Sequence, residues 1–255
     1  MAKESQLSKK RVCLFTGAGG TLGSAFCRLY ADKYSIAAVY RRQPPPVPSQ
    51  HQWLIDPLAP QVQISQNRDS IFAIHADLGE DRELERVVDL TLARFDRIDV
   101  LVNAAVHSCW APAVDSGRLV KELAQQFSIN TMVPLKLAVC IARKFWRDRD
   151  RENAQMNRSV INVSSIAGVY VYPNSGQSVY SASKAALNFL TFHLASEFAP
   201  FRVRVNATAP NAFPQIVSTE DAAKTIRSLD EGRMTGKVLI LDSNGQCFYS
   251  PSLQK

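Results

Sequence analysis

Tyr180-Ser181-Ala182-Ser183-Lys184 is the most chemically suggestive stretch of the chain. Positions four apart share a helix face, so Tyr180 and Lys184 are expected to meet. An ammonium beneath a phenol lowers its pKa from a reference of about 10 toward neutrality, and a phenol tuned in this way serves as a general acid. Upstream, Ser164 and Ser165 close an apolar run, and a hydroxyl there can hold a carbonyl oxygen. A Tyr-x-x-x-Lys string alone is common by chance. Its significance comes from context: a helix following a Ser-terminated strand, downstream of a glycine-rich turn.

That turn is Thr16-Gly17-Ala18-Gly19-Gly20-Thr21-Leu22-Gly23, placed between a β-type run and a helical stretch. Glycines there allow a tight turn and close approach of a pyrophosphate, which rests on free N–H groups at the positive end of the helix. Gly17, Gly20, Thr21, Leu22 and Gly23 are the expected contacts. The second strand ends Tyr40-Arg41-Arg42 with no acid nearby. An acid would bond the 2'-hydroxyl of NAD, whereas an arginine receives the 2'-phosphate of NADP, so Arg41 and Arg42 favour NADP(H). Asp77 and Leu78, after the third strand, face the adenine in this reading, although Asp77 could equally cap the next helix. Small residues at Asn103-Ala104-Ala105 leave room along the crevice for a flat ligand.

The elements that must position these groups alternate. Strands are expected at Arg11 to Thr16, Ser35 to Tyr40, Ile71 to His75, Val100 to Asn103, Val160 to Val163, Val203 to Ala207 and Val238 to Leu241. Helical periodicity is expected at Leu22 to Tyr30, Glu83 to Phe95, Val179 to Phe198 and Asp221 to Leu229. Strands separated by helices imply parallel pairing in a doubly wound sheet. Residues 43–70 hold six prolines, Pro44, Pro45, Pro46, Pro48, Pro57 and Pro60, which forbid a long helix there and predict an irregular connection. The expected organisation is a tail at 1–10, one domain at 11–247 and a tail at 248–255.

With these motifs in order, the chain resembles the short-chain dehydrogenase/reductase family from Arg11 to about Gly245. The resemblance implies a single-domain α/β Rossmann-type doubly wound sheet and an NAD(P)(H) oxidoreductase that assembles as a homodimer or homotetramer. It maps the family's serine, tyrosine and lysine onto Ser165, Tyr180 and Lys184, and its supporting asparagine onto Asn130. In such enzymes the tyrosine moves the proton, the serine positions the carbonyl, and the lysine binds the nicotinamide ribose. The asparagine's backbone carbonyl holds a relay water. Pro210 matches the cofactor-contacting proline after the sixth strand, and the choice of Ser165 over Ser164 also rests on the family pattern.

The chain departs from that pattern in several places. Thr21 replaces the middle glycine usual in the single-domain branch, and Asn103-Ala104-Ala105-Val106 replaces Asn-Asn-Ala-Gly. The stretch from Ser165 to Tyr180 is longer than is typical. After Pro210-Asn211, the helix signal Ser218-Thr219-Glu220-Asp221 follows within about ten residues, where relatives carry a longer substrate lid. A shortened lid predicts an open pocket for a bulky or carrier-tethered substrate, or a lid supplied by a partner subunit. His107, Trp110, Tyr170, Tyr172 and Phe213 are the candidate pocket walls, apolar and aromatic enough to suit a ring-bearing or alkyl carbonyl, or the matching alcohol.

Composition narrows the alternatives. The 255 residues, 46% hydrophobic and 21% charged, can bury a full core, which excludes a disordered chain. Thirty Lys plus Arg against 23 Asp plus Glu leave a formal charge of +7. Most of the excess falls in residues 1–11 and 143–158, where acids are interleaved, so solvated surface is expected and no nucleic-acid partner. Five scattered cysteines without a Cys-x-x-Cys pair predict neither a disulfide framework nor a metal site. The apolar run Val12 to Phe15 is too short for a signal peptide, and no span of about 18 apolar residues is present, so a cytoplasmic protein free of the membrane is expected. Rival readings are a non-catalytic NADP-binding regulator or scaffold, and a family member that isomerises or dehydrates.

Overall fold

The computed structural model describes residues 10–46, 70–114 and 117–251. Burial runs almost unbroken through β1 (Arg11–Thr16), β4 (Val100–Asn103), β5 (Ser159–Val163) and β6 (Arg204–Pro210), polar residues such as Asn162, Asn206 and Thr208 included, because both faces of these strands are covered. With β2 (Tyr34–Tyr40), β3 (Ile71–His75), β7 (Val238–Asp242) and β8 (Gly245–Tyr249) they form one sheet of order β3-β2-β1-β4-β5-β6-β7-β8. Every pairing is parallel except β7 with β8.

Helices cover both faces. On one, α2 (Asp81–Phe95), α4 (Val133–Ile141) and α6 (Ser178–Glu197) contribute Val87, Leu137 and Leu194 to a core shared with Leu14, Leu101 and Val205. On the other, α1 (Thr21–Tyr30) and α7 (Thr219–Glu231) pack Phe26, Ile226 and Leu229 against Phe15, Val102 and Ile161. Between α2 and β5 the chain also forms α3 (Gly117–Phe127), a π-helical turn Ser128–Met132 leading into α4, and the short α5 (Asp150–Gln155). No described helix is long and apolar enough to cross a membrane.

The expected alternation is present, with element ends shifted by up to three residues. The closing hairpin is new: Phe248 and Tyr249, assigned to a tail, belong to β8. That strand is mostly exposed and lacks an apolar alternation, so only its pairing with β7 defines it. Of the proline-rich connection, residues 47–69 lie outside the described residues, as do residues 1–9 of the tail.

The reading of 143–158 as solvated charge needs correction at Arg158, whose side chain is wholly buried. It reaches Asp99 at 3.4 Å and Asn153 Oδ1 at 2.5 Å, and its guanidinium lies 4.5 Å from the centre of the Phe145 ring. Asp99, equally buried, also accepts from the Val12 amide at 2.9 Å and forms an ion pair with Arg97 at 3.1 Å. Nearby, Asp230 accepts from Arg11 at 2.7 Å, the Tyr34 hydroxyl at 2.8 Å and Ser159 Oγ at 2.8 Å. Burial pulls the Arg204 guanidinium down to about 10, yet it still donates to the carbonyls of Leu229 and Asp230. Breaking a buried ion pair by removing one partner costs several kcal/mol. Asp99→Ala is therefore expected to lower the free energy of unfolding by about 3 kcal/mol in urea titrations; a loss below about 1 kcal/mol would show that these contacts contribute little.

Candidate active site

The sheet's chain order reverses between β1 and β4, which opens a crevice at the carboxyl ends of those strands. Thr16 holds it: its hydroxyl donates to the Val102 carbonyl at 3.3 Å and accepts from the amides of Ala104 at 3.0 Å and Ala105 at 3.1 Å. Gly17 follows with φ +73°, and a Cβ there would lie 2.8 Å from the Ala104 carbonyl oxygen. Only glycine satisfies both constraints. Gly20 caps α1 without any side chain, so the helix's first amides point outward, the arrangement that receives anions. Thr21 is exposed beside them, while Leu22 and Gly23 are buried beneath.

From this turn a cavity of about 640 Å³ extends along residues 40–43, 76–78 and 104–109 to Glu122 and Ile129. At its outer end Arg41 Nε lies 3.0 Å from Asp77 Oδ2, both side chains about half exposed. The two residues expected to read different parts of a nucleotide are thus joined to each other. Arg42 also lines the cavity and is exposed. Asn103 is buried and donates to Asn162 Oδ1 at 2.9 Å, but its own Oδ1 has no hydrogen-bond partner among the described residues. A bare-backbone cradle, uncapped helix amides and an orphaned acceptor at the strand end fit a dinucleotide.

Just beyond the carboxyl end of β5, Ser164 is buried and donates to the Lys184 carbonyl at 3.2 Å, so it is occupied with α6. Ser165 opens a 3-10 turn, Ile166–Gly168, and accepts from the Ala167 amide at 3.2 Å. A Cβ on Gly168 would stand 2.7 Å from the Lys184 carbonyl carbon. This close backbone approach seats Ser165 beside the first turn of α6, where Tyr180 lies. Lys184 Nζ donates to the Val163 carbonyl at 2.8 Å and sits 5.8 Å from the centre of the Tyr180 ring.

The expected acidification of the phenol is not what this geometry produces. Burial pushes the Tyr180 phenol up, the Ser165 hydrogen bond pulling it partway back, and burial brings Lys184 down to about 8. The ammonium is engaged with Val163 rather than with the phenol oxygen, and both groups are desolvated, which favours their neutral forms.

Asn130 lies in the π-helical turn, 1% exposed. Its side chain accepts from the His107 amide at 2.8 Å and donates to the His107 carbonyl at 2.9 Å and to Ser183 Oγ at 3.0 Å. Ser183 in turn donates to the Tyr180 carbonyl at 2.7 Å. One amide thereby ties the loop after β4 to the helix carrying Tyr180 and Lys184. The His107 ring meets Glu122 at 2.6 Å inside the cavity. Trp110 lies against Tyr180, ring centres 6.1 Å apart, and Tyr170 and Tyr172 are exposed. Phe213 packs against the core that contains Val163 and Leu241, and Pro210 is buried in the sheet beside Leu241. Sequence reasoning missed Gly168 and Glu122. Both act on residues distant in the chain and leave no local pattern.

A family model described as short chain dehydrogenase matches residues 11–225. The chain belongs to the short chain dehydrogenase family. These oxidoreductases bind a nicotinamide cofactor. The chain is 28% identical over 235 residues to the NADPH-dependent 1-acyldihydroxyacetone phosphate reductase of Saccharomyces cerevisiae, covering 90% of this chain and 71% of that one. It is 33% identical over 163 residues to protein FixR of Bradyrhizobium diazoefficiens, covering 60% of this chain and 54%, little more than half, of that protein. It is 29% identical to the 3-oxoacyl-[acyl-carrier-protein] reductase FabG of Thermotoga maritima, covering 78% and 73% of the two chains. Among solved structures, a short-chain dehydrogenase from Streptomyces avermitilis superposes with a TM-score of 0.72 at 25% identity, covering 92% of this chain and 90% of that one.

A buried lysine with a depressed pKa leaves a signature in stability. Between about pH 8 and the ordinary lysine value of 10.5, the unfolded chain holds the Lys184 proton and the folded chain does not. Stability contributed through this residue therefore rises with pH across that window and is lowest below it. The difference in unfolding free energy between the wild type and Lys184→Met is expected to move in the wild type's favour as pH rises through the window, measured by urea titration at several pH values. A difference that stays flat would contradict the depressed pKa.

Proposed function

We propose that this short chain dehydrogenase is an NADP(H)-dependent reductase of a ketone or aldehyde, or the dehydrogenase of the matching alcohol, on an apolar substrate. The observation that carries the reading is the seating of Ser165, Tyr180 and Lys184 together just beyond the carboxyl end of β5, the strand that pairs in parallel with β4 beside the glycine cradle. Gly17 to Gly23 and the first amides of α1 would hold the pyrophosphate, Asp77 and Leu78 the adenine, Asn103 to Ala105 and Pro210 the middle of the cofactor, and Lys184 the nicotinamide ribose. Arg42 is the better placed of the two arginines for a 2'-phosphate, since Arg41 is engaged with Asp77. When bound, NADPH supplies the hydride.

The chain's own residues handle the oxygen. Ser165 Oγ orients the carbonyl oxygen, and the Tyr180 hydroxyl donates its proton to that oxygen as the carbonyl carbon is reduced. Asn130 acts on the site by holding the His107 loop and Ser183 in place. Two relatives whose names specify NADPH, the yeast reductase and a pig carbonyl reductase, support the cofactor assignment.

The mouth of the site supports a bulky or carrier-tethered apolar substrate. Only residues 211–218 connect β6 to α7, too short a segment to fold into an extended lid, and Trp110 stands exposed beside Tyr180, with Tyr170 and Tyr172 also exposed. Assembly as a homodimer or homotetramer in the cytoplasm belongs to the same reading.

NADPH oxidation against a panel of aldehydes, ketones and enones tests it. Tyr180→Phe is expected to lower kcat by about 10²- to 10⁴-fold, the usual contribution of a general acid, with NADPH binding retained; full-rate turnover would instead indicate a non-catalytic binder. Removing a charge-assisted phosphate contact costs about 1.5–3 kcal/mol. Arg42→Ala is accordingly expected to lower kcat/KM for NADPH at least tenfold while leaving NADH nearly unchanged. Equal losses with both cofactors would remove the 2'-phosphate assignment.

A further inference from the structure

Trp110 is a large apolar side chain left 59% exposed, and it joins none of the buried core clusters among the described residues. Its ring is tilted 56° to that of Tyr180 at 6.1 Å between centres. Exposed aromatic residues on loops are ordinarily free to move, but here the backbone on both sides is pinned. The amide and carbonyl of Cys109 bond to the side chain of Gln126 at 3.2 and 3.3 Å, and Gln126 is fully buried. The Ala111 amide donates to the Gly176 carbonyl at 2.9 Å. Gly176 has φ +64°, and a Cβ on it would be 2.9 Å from the Ala111 carbonyl carbon, so the two loops are locked face to face. Three residues before Trp110, His107 is clamped by Asn130.

The fold therefore commits a buried glutamine and a positive-φ glycine to fixing the backbone around one solvent-facing indole beside Tyr180. Besides satisfying the buried backbone groups of Cys109, the arrangement holds the indole's backbone in place. It lowers the ordering cost of binding, because the platform is already in position. We infer that Trp110 is a specificity-determining residue that stacks a planar ring attached directly to the substrate carbonyl, so that aryl ketones and aldehydes are favoured over their saturated-ring counterparts. This rests on the proposed reductase reading: with the carbonyl oxygen at Ser165 and Tyr180, its substituent falls within reach of the indole. Aromatic pairs at ring separations of 4.5–7 Å add selectivity of about two- to tenfold beyond the area they bury.

The test compares acetophenone with cyclohexyl methyl ketone, using NADPH and the full chain. Comparing the ratio of kcat/KM values between proteins cancels the intrinsic reactivity of the two ketones. Trp110→Leu is expected to reduce the acetophenone-to-cyclohexyl ratio by about two- to tenfold, and Trp110→Phe to preserve it. Quenching of tryptophan emission by acetophenone, measured in the presence of NADP+, is expected in the wild type and lost in Trp110→Phe. Thermal melts show whether each variant is folded. An unchanged ratio in a folded Trp110→Leu, or equal losses for both ketones, overturns the stacking role while leaving the reductase reading intact, provided Tyr180→Phe abolishes turnover. If the wild type neither turns over acetophenone nor shows quenching by it, the inference falls; if Tyr180→Phe also matches the wild type across the carbonyl panel, the reductase reading falls with it.

Discussion

The Thr16 hydroxyl joins the chains leaving β1 and β4 where the order of the parallel sheet reverses. It bonds one carbonyl and two amides of the β4 end, and the crevice depends on that arrangement. With the two chains held side by side, Gly17 must turn at positive φ against Ala104, and the first amides of α1 are directed at the opening. A hydroxyl is suited to the position because it donates once and accepts from two amides in a region closed to water. Both ends of the candidate site are measured from this point: Arg41 and Asp77 on one side, and Asn130, Ser165 and Tyr180 on the other.

The opposite edge of the sheet carries the balancing constraint. Asp99 and Asp230 gather Arg11, Arg97, Arg158, Tyr34 and Ser159 at the amino ends of the strands. Charges buried this deeply are tolerated because each is paired and further satisfied by backbone groups. The result is a molecule whose two edges differ in kind. One is tied by ionic contacts, and the other is left with bare backbone, an unpartnered Asn103 oxygen and exposed aromatic side chains. Part of the basic excess in the composition is absorbed into the first edge. Arg158, seen in sequence as one of a run of surface charges, is wholly buried.

Burial also sets the protonation of the site. The Tyr180 phenol and the Lys184 ammonium are both withdrawn from water, and desolvation favours the neutral form of each, raising one pKa and lowering the other. Spacing alone suggested an ammonium acting on a phenol. The geometry shows the lysine drawn to the Val163 carbonyl, a consequence of where β5 ends relative to α6.

Much of this is legible in the amino-acid sequence by itself. The alternation of apolar runs and amphipathic stretches determined the class of fold, because strands buried on both faces and helices buried on one carry different periodicities. Residue types at short range determined the glycine turn, the Ser218 cap of α7, whose hydroxyl accepts from the Asp221 amide, and the pairing of Tyr180 with Lys184 on one helix face. Tertiary structure alone decided that Arg41 and Asp77 meet, that Lys184 turns to the Val163 carbonyl, that Gln126 and Gly176 immobilise the backbone around Trp110, and that β8 exists. The physical reason is common to all four. Each depends on groups from separate elements of the fold approaching within a few ångströms, and a periodicity or local motif records only what residues within one element do to one another.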